Sequence, residues 1–82
     1  MSEEKIIQPD ATIDDIFRIA IKRESQAYHF YIEAAKRVPT KEARELLLKL
    51  ASEESGHEIA LAREWNDILA KRDVERAMAS DM

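Results

Sequence analysis

Three residues of this 82-residue chain carry donor groups at a spacing that can do chemistry: Glu24, and the Glu54-x-x-His57 pair inside LASEESGHEIAL. A glutamate and a histidine three positions apart lie about 60° from each other on a helix, on one side of it. Carboxylate oxygen and imidazole nitrogen together form a donor set for iron, manganese or zinc. The setting gives the pattern its weight, because these polar groups stand inside stripes of apolar residues, where an unpaired charge costs several kcal/mol, on the order of 3–5.

The elements that must position them follow from the periodicity. Ile13, Phe17, Ala20, Glu24, Tyr28, Tyr31 and Ala35 recur at spacings of three and four, which predicts one face of a helix from Thr12 to about Arg37. Thr12 is the expected N-cap, with Asp14 and Asp15 in the first turn, where acids suit the helix dipole. Pro39 disfavours the helical conformation at Val38, and Thr40 can cap the next helix. A second period then runs through Ala43, Leu47, Leu50, Glu54, His57, Leu61, Trp65 and Ile68. Two long helices joined by so tight a connection must be antiparallel. The expected architecture is all-α: an arm over residues 1–11, a helical hairpin over 12–72, and a tail or short helix over 73–82.

Height along the hairpin brings the three candidates together. Glu24 lies fifteen residues before Pro39 and Glu54 fourteen after Thr40, so both stand about 21 to 23 Å from the turn. His57 follows about one turn farther on. Two inward carboxylates at one level repel unless a cation stands between them, and a divalent metal meets that need. Glu33, Glu53 and His29 fall off the stripes and read as solvated. Tyr28, Tyr31 and Trp65 read as core, although a tyrosine one turn from Glu24 could also relay a proton or an electron.

An inward Glu on one helix and Glu-x-x-His on the next make half of a carboxylate-bridged di-iron site. A homodimer about a two-fold axis would supply the other half and complete a four-helix bundle. Size argues the same way. At 82 residues a single core is marginal, and with no cysteine disulfides and thiolate metal sites are excluded, leaving metal binding and self-association as the available aids. The alternative left open is a non-catalytic helical dimerisation or metal-binding module whose inward polar groups fix register.

The remaining composition narrows the partners. Residues are 37% charged with a formal net charge of -4, and the charges are interleaved without a basic stripe, so nucleic acid is not an expected partner. No run reaches the roughly 20 apolar residues of a membrane span, and MSEEKIIQPD lacks a basic leader region. A soluble cytoplasmic protein is expected.

The same residues carry a likeness. Arg23 to Ala27, RESQA, resembles the Gly-Glu-Ser-Gln-Ala segment of rubrerythrins, and SEESGHEIAL resembles their second-helix Glu-x-x-His segment. The resemblance spans Thr12 to Lys71 and implies the ferritin-like superfamily, rubrerythrin branch. It implies that Glu24 is a terminal carboxylate ligand, Glu54 a metal-bridging carboxylate and His57 a terminal imidazole ligand of a di-iron centre. Rubrerythrins hold both half-sites in one chain and usually a cysteine-ligated iron as well; here the second hairpin and every cysteine are missing. The chain is thus similar to the half-length encapsulated ferritins, which implies a ferroxidase centre shared between protomers and an encapsulating protein shell as a further partner. Glu58, near the stripe edge, is the nearest candidate for the family's extra carboxylate.

Overall fold

In the computed structural model, which describes residues 7–79, the chain forms two α-helices, α1 (Ile13–Ala35) and α2 (Lys41–Ala79). Helix α1 begins where expected. The Thr12 side chain accepts a hydrogen bond from the Asp15 amide at 3.1 Å, and the Thr12 amide donates to the Asp15 carboxylate at 3.0 Å. This reciprocal pair satisfies two amides that the first turn would otherwise leave unpaired.

Helix α1 ends at Ala35, two residues before the expected Arg37, because Arg37 and Val38 turn back to hydrogen-bond the Ala34 carbonyl. The connection is short, and Thr40 caps α2 by accepting from the Ala43 amide at 3.1 Å. The helices run antiparallel and meet closely at small residues: Ala35 and Ala51 are the fully buried apolar positions among the described residues. Toward the open end Phe17 stacks on Trp65, with ring centroids 5.0 Å apart.

Two differences from the expected pattern stand out. Over residues 73–79 no separate tail or short helix is set off, since α2 continues through Asp73 to Ala79 without a break; residues 80–82 lie outside the described residues. No glycine or proline interrupts residues 57–79, so nothing in the backbone stops it. Ile13, placed on the apolar face, is the first residue of α1 and is 48% exposed. Of the expected arm, residues 1–6 lie outside the described residues, while Ala11 closes a turn onto the Gln8 carbonyl.

The principal extents are 65 × 33 × 11 Å. The smallest is one helix diameter. The radius of gyration, 18.2 Å, compares with about 12 Å for a compact chain of this length. The hairpin is therefore a single layer, whereas helical domains bury their apolar stripes between layers.

Candidate metal centre

Each of the three residues singled out by spacing is carried by a different constraint. Glu24 sits at the middle of α1, on the side turned to α2. Glu54 sits across from it on α2, and His57 follows one turn later on the same helix. One oxygen from each carboxylate and one ring nitrogen of His57 all lie within 4.8 Å of one another, and among the described residues this is the one group of three or more metal-ligating side chains that converges so closely. His57 Nδ1 is 3.5 Å from Glu54 Oε1 and 3.7 Å from Glu24 Oε1.

These separations can be tested against the requirement of a metal. Oxygen and nitrogen ligands about 2.0 to 2.2 Å from one ion, on adjacent vertices, stand roughly 3 to 3.5 Å apart. The 3.5 Å separation of His57 from Glu54 lies at the upper end of this range, and the 3.7 Å separation from Glu24 only just exceeds it, within side-chain adjustment. The donor set, two carboxylates and one imidazole, fits a hard or borderline divalent ion.

The electrostatics agree. The Glu24 carboxyl is held above the usual carboxylate range, first by a hydrogen bond with the Glu54 carboxyl, then by partial burial and by repulsion from the Glu54 charge, with His57 opposing. Two acids this close favour a proton on Glu24, and a cation between them would relieve the same repulsion. Both carboxylates are about three-quarters covered, whereas the His57 side chain is 62% exposed. The site thus opens on one side, into a groove lined by Glu24, His57, Ala60, Leu61 and Glu64.

Other candidates separate from the centre. His29 is exposed and donates its Nδ1 hydrogen to the Ser25 carbonyl at 2.8 Å. Tyr28 and Tyr31 are half-buried and make edge contacts with the rings of His29 and Phe30. Glu58 is half-buried and outside the converging group. Glu33 and Glu53 are exposed, as expected.

One cluster went unforeseen. Arg72 Nη1 bonds Asp14 Oδ1 at 3.0 Å and its guanidinium stands 5.8 Å from the Trp65 ring centroid. The signal was available, because Arg72 lies eighteen residues, five full turns, beyond Glu54 and so on the same line of the helix.

With the geometry in view, comparison with known proteins gives one positive finding. The family model described as Rubrerythrin matches residues 2–65, which include Glu24, Glu54 and His57. No curated protein and no solved structure matches the chain.

Proposed function

The chain belongs to the rubrerythrin family, and on that premise we propose that it is a di-iron carboxylate oxidoreductase of the ferroxidase type, with its centre shared between two protomers. The observation that carries this reading is the convergence of Glu24, Glu54 and His57 within 4.8 Å on the open side of a hairpin one helix thick. Three ligands serve half of a di-iron site. A second copy related by a two-fold axis would bring four carboxylates and two imidazoles to one place, and four helices to one bundle.

The surface supports that pairing. Ile16 on α1 and Leu46 on α2 are 40% and 57% exposed. By helical geometry each lies about 80° from the Glu of its own helix, toward the side on which His57 opens. A partner seated there would cover both and would enclose the imidazole.

Glu24, Glu54 and His57 would hold the metal; by the likeness to the family, Glu54 would serve as the shared carboxylate, with Glu24 and His57 as the outer oxygen and nitrogen ligands. Both carboxylates act as ligands only when deprotonated, so a proton on Glu24, which its surroundings favour, would compete with metal. His57 must be neutral to offer a lone pair. Ferrous iron is the substrate: two ions give one electron each to dioxygen, which takes up the pair with two protons. Manganese and zinc fit the same donors, and availability selects among them. The proposed setting is the cytoplasm, free or within a protein shell.

The test is oxidation of ferrous iron. Protein loaded anaerobically and then exposed to air should oxidise iron faster than buffer, and the Glu54→Gln variant should fall to the buffer rate. A chain that takes up no iron, and whose Glu54→Ala variant melts at the same or a higher temperature, would instead be a helical pairing module.

A further inference from the structure

Both ends of the hairpin are tied. At one end the chain itself joins the helices through residues 36–40. At the other, four side chains from both helices make a single latch. Arg72 on α2 reaches Asp14 in the first turn of α1, Nη1 to Oδ1 at 3.0 Å. Beside them Phe17 lies flat on Trp65, centroids 5.0 Å apart and planes 10° from parallel. The Arg72 guanidinium stands 5.8 Å from the Trp65 centroid, within reach of a cation–π contact. Its Nε is buried without an acceptor. An arginine kept only for solubility would hold that N–H in water.

We propose that Asp14, Phe17, Trp65 and Arg72 are positioning residues for the metal half-site, holding the open end of the hairpin shut so that Glu24 and Glu54 stay at chelating distance. The consequence for metal rests on the function proposed above; the mechanical part does not. Leverage explains why a contact so far from the ligands matters. Glu24 lies about 22 Å from the turn and Asp14 about 37 Å, at 1.5 Å per residue. If the pair opens about its turn, a separation of about 2 Å at the latch becomes about 1.2 Å between Glu24 and Glu54. A working site holds its groups within about 0.5 Å. An opening too small to unfold the hairpin is therefore large enough to spoil the site.

The chain has no cysteine, so spin labels can be placed cleanly at Gln26→Cys and Ser52→Cys, exposed positions two residues from each ligand glutamate. Labelled chains diluted with unlabelled ones report the spacing within one hairpin, and the same proteins are titrated with Co2+. Arg72→Gln and Asp14→Asn are expected to keep their helix content, to lengthen or broaden the spacing by about 1 Å, and to weaken Co2+ binding about tenfold or more, the scale of outer-shell losses. Arg72→Lys should restore most of both, because the Asp14 bond uses a single donor. An unchanged spacing in both loss variants overturns the latch. A broadened spacing with parental Co2+ affinity overturns its role in positioning the site. A parent chain that binds no Co2+, yet whose variants broaden, keeps the latch and sinks the metal reading instead. Should Arg72→Gln lose helix content, Asp14→Asn, a near-isosteric change, decides the matter.

Discussion

At the scale of single residues, the paired acids make the metal-free protein sensitive to pH in an unusual direction. Glu24 binds its proton more tightly in the folded chain than in the unfolded one, because of its hydrogen bond with Glu54 and its partial burial. Between the ordinary carboxylate range and that raised value the folded state holds more protons, so this contribution is full at the acid end and is lost as pH rises. The melting temperature of the metal-free parent relative to Glu24→Gln should therefore decline as pH climbs toward neutrality. A difference that grew with pH would contradict the tighter hold of Glu24 on its proton. Glu54→Gln isolates the charge. It keeps the volume and removes one of the like charges, so the metal-free variant should melt no lower than the parent, while added iron or manganese, which should raise the melting point of the parent by mass action, should leave it nearly unmoved. Calorimetry with and without metal reads both outcomes.

At the scale of elements, the capping of α1 behaves in the opposite sense. Asp15 is held below the usual carboxylate range by its hydrogen bonds with Thr12, backbone first, so its contribution is present near neutrality and disappears as pH falls through the carboxylate range. Thr12→Ala should cost about 1 kcal/mol and reduce that acid-side loss only in part, since the Thr12 amide still donates to Asp15, measured by urea unfolding at two pH values. Gly56, inside α2, meets nothing within 4 Å of where a Cβ would stand. Gly56→Ala should therefore stabilise the helix by about 1 kcal/mol, with metal affinity unchanged. The helices themselves were legible in the sequence for simple reasons. Long stripes of period 3.6, one proline between them and threonine caps on both sides leave little room for another reading. The three converging side chains were legible because distance along a helix and height across a hairpin are the same arithmetic. Less could be read at the ends. The extent of α2 past residue 72 depends on the absence of a stop signal, which is weaker than the presence of one. The Arg72 contact depends on which of several charged residues near the open end faces inward. Periodicity counted over apolar residues alone passed over that arginine, although its stem and buried Nε lie on the ligand line.

At the scale of the molecule, the single layer is the fact to explain. Its 11 Å thickness and the exposed Ile16 and Leu46 call for a second layer, and none of the described helices is long and apolar enough to find one in a membrane. The proposed second copy would supply it, and sedimentation at micromolar concentration should find a dimer or a multiple of it. Leu46→Glu should be harmless to an isolated hairpin, where the residue is 57% exposed, but should drive the pair apart. Loss of pairing and of tight metal binding in the same variant is the expected result; a Leu46→Glu dimer would place the interface elsewhere.

A centre assembled from half-sites, as proposed, would also have a genetic consequence. Each ligand would be written once and used twice, so one base change would alter the centre on both sides of the axis, and mutation could not tune one iron position independently of the other. The same arrangement lets a faulty chain spoil a sound one. If equal amounts of parent and Glu54→Gln chains pair at random, only about a quarter of the pairs keep every ligand. Co-expression should then depress iron oxidation well below half of the parental level, the signature of a dominant-negative allele, whereas a chain that worked alone would retain half.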